Sequence, residues 1–435
     1  MNLEKLIGKI FAIKIFRAMI ALVIFMRGTF FFLTMNHYRA SIDYCWLYRV
    51  SEIDIFKKIS FYIIQKIIQA GLSKNENIIL KSFLYDKASV EARERYSLSG
   101  RGNLDLFRDI TILKENKSNE KGILLIKYTP TFDAFLAFFD IEKIFKDYYV
   151  VLETSWSGVC DPSILMFISP FHPVIIQVPE QDDFHFVASL KTNLLPVSLG
   201  SGDWVDIDTF SENFSVDNKI YDIIMVANWG VYKRHDELFK ALAKIKSRQI
   251  KVMLIGFAWG GRTRQDIVRE INQYNLNNMS VDFKEGIPPE EVKQYLNMSK
   301  VFILLSKKEG GNKAMVEGFF CNVPALLYEN NKGGNKEKIN SQTGILSLYE
   351  ELSKNILYMI DNYKSFSPRE WAIKNTGSKN ATIRLNQFIR NIAEKKGESW
   401  TSDIVEKVNI PNLAYKNTED RMKFNKNNLI SYLRS

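Results

Sequence analysis

Apolar residues crowd the segment Leu6 to Leu33, interrupted only by Lys9, Lys14, Arg17 and Arg27. Residues 35–120 continue in helical style, and Ile55, Ile59, Ile63 and Ile67 recur at a four-residue spacing that predicts one helix over Ile55–Ala70. The polar stretch Lys114–Lys121 closes this region. The texture then changes to short apolar runs at Ile123–Ile126, Tyr148–Leu152, Val174–Val178 and Pro196–Leu199, most of them separated by a helix-length segment. Strands alternating with helices predict a parallel α/β sheet, here small and spanning residues 121–212.

The polar segment Ser211–Lys219 reads as a linker. A second series follows, with strands at Asp222–Val226, Lys251–Ile255, Ser280–Phe283, Val301–Leu305 and Pro324–Leu327. Helices are expected from His235, Arg264, Pro289 and Lys313 between them. That alternation suffices for a full doubly wound, Rossmann-like unit over residues 213–395. No internal repeat is visible, and the tail from 396 to 435 is polar and without period. The expectation is an α/β chain of two Rossmann-like units behind a helical N-terminal extension covering residues 1–120.

Length supports that division, since 435 residues exceed one ordinary core. With 46% apolar and 25% charged residues, disorder across the whole chain is excluded. The net charge of +10 favours anionic partners such as nucleotides, phospholipid headgroups or lipid-linked phosphates, although a lysine-rich solvated surface gives the same sum. Nucleic acid is not expected, because no recognition motif is present and aromatic residues are not interleaved with basic ones on a strand face. Three widely spaced cysteines (Cys45, Cys160, Cys321) suit a reducing compartment, and the four histidines never pair with cysteine at zinc-ligand spacing.

Charge also reinterprets the N-terminus. Its longest uncharged apolar run, Ala18–Met26, is nine residues, against the roughly 20 needed to span a bilayer. No small-residue cleavage site follows it. Two readings stand: a helix lying in an anionic membrane interface, with Lys9, Lys14, Arg17 and Arg27 snorkelling above Phe11, Ile15, Ile20, Leu22 and Phe25, or a helix packed on the rest of the protein.

The densest chemistry lies in Val301–Gly318, where a buried strand ending near Ser306 runs into Glu309-Gly310-Gly311-Asn312 and then a helix carrying Glu317. A helix N-terminus offers free N–H groups and a positive dipole end to a phosphate. Gly310 and Gly311 let backbone approach a ligand. Two carboxylates beside a phosphate site are suited to accepting hydrogen bonds from sugar and ribose hydroxyls. Glu309 and Glu317 can share a cleft at the carboxyl ends of the strands; a solvated helix face carrying both is the plainer alternative.

Over about residues 195–390 the sequence resembles the retaining GT-B glycosyltransferases called glycosyl transferases group 1. The resemblance rests on the E-x7-E pair Glu309 and Glu317, on Val197-Ser-Leu-Gly200 with Asp206 and Phe210, and on Val226-Ala-Asn228-Trp-Gly230-Val-Tyr-Lys233. Leu254-Ile-Gly256, Phe283-Lys-Glu-Gly286 and Asn322-Val-Pro324 extend it. It implies a GT-B fold and transfer of a sugar from a nucleoside diphosphate sugar, with retention and without a metal or other cofactor. Lys233 would bind the donor diphosphate and Glu317 the ribose. Glu309 would bind hydroxyls of the transferred sugar, with Gly310, Gly311 and Asn312 giving backbone contacts. Asn228, Gly230, Gly256 and Ser306 complete the expected donor site.

Two departures accompany it. Asn228 stands where the family usually has an arginine, with Lys313, Arg262 or Arg264 as substitutes; and the N-terminal histidine has no clear counterpart, His172 and His185 being the nearest candidates. Glu153-Thr-Ser-Trp156-Ser-Gly158 follows a strand and is a candidate for the acceptor side. Two rivals stay open. Asp206-Ile-Asp208 spells the DxD of a metal-dependent GT-A transferase, and the chain could be a non-catalytic GT-B partner of another transferase. The leading expectation is a transferase peripheral on the cytoplasmic face of a membrane, acting on a glycan or lipid-linked acceptor in cell-surface polysaccharide or lipopolysaccharide synthesis.

Overall fold

The structure, a computed structural model, describes residues 14–51, 53–96, 105–154, 158–212, 219–276, 279–409 and 412–434. β-branched and leucine-rich runs form two sheets. The first contains β1 (Ile110–Lys114), β2 (Gly122–Lys127), β3 (Tyr148–Glu153), β4 (Val174–Gln177) and β5 (Leu194–Val197) in sequential order. β2 to β5 are parallel, and β1 adds antiparallel to β2. β1 lies inside the segment read above as helical. Its sequence Ile-Thr-Ile-Leu-Lys is wholly buried strand, so the sheet begins before the expected boundary at residue 121.

The second sheet holds β6 (Tyr221–Val226), β7 (Ile250–Gly256), β8 (Met279–Glu285), β9 (Ser299–Leu304), β10 (Ala325–Tyr328) and β11 (Gly344–Ser347). Their order is β11-β10-β9-β6-β7-β8, all parallel. From β6 the chain builds outward in one direction to β8. It then returns to β9 on the other side of β6 and builds outward the opposite way. The reversal leaves a crevice at the carboxyl ends of β6 and β9, where ligands bind in open sheets of this kind.

Apart from the edge strand β8, which is partly exposed along its length, both sheets are covered on both faces, which explains their near-continuous apolar runs. In the first, Leu124, Ile126, Val150 and Leu152 face a core shared with the N-terminal helices, while Ile123, Leu125, Tyr149 and Val151 face another. The N-terminal helices (Lys14–Leu33, His37–Val50, Asp54–Leu72, Ile78–Leu84 and Lys87–Arg95) are therefore an outer layer of the first unit. The buried face of Asp54–Leu72 is Ser60, Ile64, Ile67, Ile68 and Gly71. The stripe read from the isoleucines is rotated from it, and Ile55 is 62% exposed. Tertiary packing against residues 37–50 chose the face.

The opposite face of the first sheet is closed by the helix Ser378–Lys395 through Ala381, Leu385, Ile389 and Ala393. This helix follows the second sheet in sequence yet packs on the first, so the crossover precedes it. Burying Leu385 or Ile389 is worth about 1.5–3 kcal/mol each, enough to fix where the helix docks. The polar tail continues on the first unit: β12 (Lys407–Asn409) pairs antiparallel with β13 (Leu413–Tyr415), and Tyr432 donates to Asp147.

Arg27 is not turned to solvent as an isolated charge. It makes a two-pronged ion pair with buried Asp43 at 2.9 and 2.5 Å, and Phe25 packs edge-on against Tyr44 at 6.2 Å. The Asp43 carboxylate is buried, while the Arg27 side chain remains 57% exposed at the flank of the first helix. Lys9 and Phe11 lie outside the described residues.

Candidate active site

The carboxyl ends of β6 and β9 carry the two oppositely charged groups of the crevice. After β6, a short 3-10 turn, Val231–Lys233, is ended by Arg234 at φ +62°, which redirects the chain into the helix His235–Lys244. Trp229 anchors the turn from below by donating to Glu285 at 2.6 Å and packing edge-on against His235. Burial drives the His235 pKa down to about 3, so the imidazole is neutral and structural. The turn delivers a nearly buried Lys233, whose ammonium contacts both carboxylate oxygens of Glu309 at 2.5 and 2.7 Å.

Glu309 sits in the loop after β9 and also accepts from the Ser306 hydroxyl at 2.8 Å. Two asparagines from the loop after β10 hold this segment. Buried Asn331 donates to the Ser306 carbonyl at 2.6 Å, and buried Asn335 accepts from the Asn312 N–H at 2.7 Å. Asn312 caps the next helix, Lys313–Phe320, by accepting from the Met315 N–H at 2.8 Å. The sequence reading did not name Asn331 or Asn335. Their signal, an Asn-rich loop after a strand, is too common to single out.

Gly311 lies against the first unit. A Cβ there would stand 3.1 Å from the Gly202 nitrogen and 3.2 Å from that of Ser201, so this approach of the two units needs glycine. A Cβ on Gly256 would meet the Ala227 carbonyl at 2.3 Å, which is prohibitive.

Between the units opens a cavity of about 610 Å3. Of the expected site residues, Lys233, Glu309, Gly310, Gly311, Asn312, Glu317, Asn228 and Gly256 line it. Gly230 and Ser306 do not. Gly230 instead donates its N–H to the Asn228 side chain at 3.0 Å, and Ser306 supports Glu309 from behind. Burial pushes the Glu317 carboxyl up to about 7, with Lys313 pulling the other way. Of the three proposed substitutes for the missing arginine, only Lys313 lines the cavity. Arg262 is paired with Glu270 at 2.5 Å, and Arg264 lies over the Phe283 ring at 4.8 Å.

Neither histidine candidate reaches this cavity: His172 packs on Phe145, and His185 lines a second cavity of about 700 Å3. Trp156 lies outside the described residues. The Asp206 and Asp208 carboxylates converge on the ammonium of Lys416, at 2.5 and 2.6 Å, so the protein supplies its own cation to the DxD sequence.

The family model described as Glycosyl transferases group 1 matches residues 206–376, which include the β6 turn, the Glu309 loop and the helix bearing Glu317. The chain is a glycosyltransferase with a group 1 domain. Sucrose-phosphate synthase from Thermosynechococcus elongatus shares the transferase's two-unit GT-B fold, at 15% identity and a TM-score of 0.51, over 63% of this chain and 74% of that one. HepE from Anabaena, solved with UDP and glucose, is 16% identical, with a TM-score of 0.47, over 62% and 78% of the two chains. No curated protein matches the transferase in sequence.

The first unit also contributes to the cavity, through Lys127, Tyr128 and Ser201. None of these three was expected. They are brought in by the ends of β2 and β5, and no local motif marks them.

Proposed function

We propose that this transferase moves a sugar, with retention and without a bound metal, from a nucleoside diphosphate sugar to a lipid-linked or glycan acceptor. The observation that carries the donor half is the convergence of Lys233, Glu309, the glycine loop and Glu317 on one cavity at the strand-order reversal. Lys233 and the N-terminus of the helix Lys313–Phe320 stabilise the charge that builds on the leaving diphosphate. Glu317, once ionised, accepts hydrogen bonds from the ribose, and Glu309 accepts them from the transferred sugar. In the free enzyme Glu309 neutralises Lys233. Donor binding exchanges that partner for phosphate and releases the carboxylate toward the sugar.

The membrane half of the reading rests on the first helix. Phe16–Leu33 is an 18-residue helical stretch long and apolar enough by composition to cross a membrane and largely unburied, and Met19, Leu22, Val23, Met26, Phe30 and Leu33 form an exposed stripe on it. Arg27, paired to Asp43 yet 57% exposed, borders that stripe. The stripe docks into the interface of an anionic, cytoplasmic-face membrane as an apolar surface, beside the basic N-terminal residues. An acceptor held in that membrane, as in cell-surface polysaccharide or lipopolysaccharide synthesis, meets the enzyme there.

The test is a thermal-shift panel of nucleotide sugars, followed by turnover and determination of the product anomer in EDTA. A donor that raises the midpoint and gives a retained product supports the reading. Activity that vanishes in EDTA and returns only with a divalent ion, or an inverted product, refutes it.

A further inference from the structure

The floor of the donor cavity contains a buried cluster that neither the resemblance nor the group 1 domain accounts for. Glu153, at the end of β3, is fully buried among Lys127 of β2, Ser201 after β5, and Lys407 and Asn409 of the C-terminal strand β12. Oε1 accepts from Ser201 Oγ at 3.0 Å and Asn409 Nδ2 at 2.9 Å, while Oε2 makes no hydrogen bond among the described residues and is ion-paired with Lys407 Nζ at 2.7 Å. Lys407 is itself enclosed, with its ammonium 3.9 Å from the centre of the Trp204 ring.

Lys127 is the member left over. Its ammonium stands 3.6 Å from Glu153 Oε1, and among the described residues it makes no hydrogen bond. The side chain is 1% exposed, yet it lines the cavity that holds Lys233, Glu309 and the glycine loop. The next residue, Tyr128, is held at φ +71°, with its N–H donating to the Glu153 carbonyl at 3.0 Å, and its ring lies 4.8 Å from the lysine ammonium.

Charge sharpens the picture. Lys127 and Lys407 face one carboxylate in a region without bulk water, and Lys313 lines the same cavity. Burial pulls Lys407 down to about 7 against Glu153, while Glu153 is held down to about 2 as its lysines outweigh burial. Two lysines sharing one buried carboxylate leave one ammonium without a partner of its own unless Lys407 sheds its proton or an anion joins Lys127.

We infer that Lys127 is a phosphate-binding residue of the donor site, supplied by the first unit, and that the tail strand β12 keeps it available by occupying Glu153. It lines the cavity from the first unit as Lys233 does from the second, so an anion held by both would draw the two units together. This inference rests on the nucleotide-sugar reading above.

Calorimetric titration of wild-type enzyme and of Lys127→Met with UDP, GDP, CDP, ADP and dTDP, and with the matching monophosphates, tests it. Wild type should prefer a diphosphate over its monophosphate for at least one base. Lys127→Met should lose about tenfold or more of that preference, as expected for one charged hydrogen bond, while its monophosphate affinity stays within about twofold. Without ligand, the variant should melt at or above the wild-type temperature, because Glu153 keeps Lys407. Undiminished diphosphate preference overturns the inference, as does a variant that unfolds or melts well below wild type, which would make Lys127 a structural partner of Glu153. If wild type binds none of the ten nucleotides, the donor reading itself fails.

Discussion

The two sheets present their chemistry to the same cavity in opposite ways. On the second, Lys233 and Glu309 hang from short turns at the ends of adjacent strands, and the side chains that hold them come mostly from the ends of neighbouring strands of the same sheet, among them Ser306, Asn331 and Glu285. On the first, the buried charge cluster is assembled from β2, β3, the loop after β5 and a tail strand more than 250 residues away from Glu153. This side of the cavity is built at the carboxyl ends of the two central strands of one sheet. The opposite side exists only because the chain crosses back, lays the helix Ser378–Lys395 on the first sheet and threads β12 beneath the cleft. A site built on one sheet tolerates drift elsewhere in the chain, whereas a cluster gathered from four segments depends on each of them.

Removing Glu153 is the hardest test of that dependence. Glu153→Ala leaves Lys407 buried without its carboxylate and should cost about 3–5 kcal/mol in urea unfolding. A loss below about 1 kcal/mol would show that the first-unit cluster does not hold the fold. On the second sheet, Glu309→Ala should act on chemistry and not on folding: turnover should fall about 100- to 1,000-fold, the size of effect seen when one preorganised polar group is lost. Diphosphate affinity should hold or tighten, because Lys233 is freed, and titration checks this.

Asn335→Ala sits between these extremes. It strips the Asn312 N–H of its acceptor and should cost about 1–3 kcal/mol of stability, with weaker donor binding. Equal donor affinity would mean the glycine loop is held without the β10 loop.

The pH dependence of donor binding separates the carboxylates further. Glu317 is protonated below about 7 in the folded enzyme, so its value as a ribose acceptor should grow as pH rises from 6 to 8. Stability runs the other way. Because the native state keeps a proton that the unfolded chain gives up, its contribution is present below about 4.5 and lost as pH rises toward about 7. Glu317→Gln should flatten the donor-affinity profile, as read by titration at several pH values.

The smallest effect belongs to the outer layer. Replacing Met19 and Met26 by glutamate should abolish co-sedimentation with anionic vesicles while leaving the melting temperature nearly unchanged, since both side chains are exposed. Wild-type binding should weaken with salt, at about 1 kcal/mol per basic residue near the surface. Retained vesicle binding by the variant would return the helix to a purely packing role.

The sequence by itself determined the alternation of strands and helices on the second sheet, because its inner parallel strands, covered on both faces, are apolar along nearly their whole length, and its edge strand β8 alternates. It also singled out Glu309, Glu317 and Lys233, which the fold brings to one cavity, because each lies in a turn or helix start directly after a strand. It did not reveal β1, whose five residues are too short to show a period, nor which face of Asp54–Leu72 is buried, since isoleucines occupy more than one side of that helix. That Arg27, though still exposed, pairs with the buried Asp43 sixteen residues on shows only in the fold. Lys127, Glu153, Lys407 and Asn409 form no motif in the chain. Their charges acquire meaning only when long-range packing excludes water and brings them within hydrogen-bonding and ion-pairing distance, and that step belongs to the tertiary structure alone.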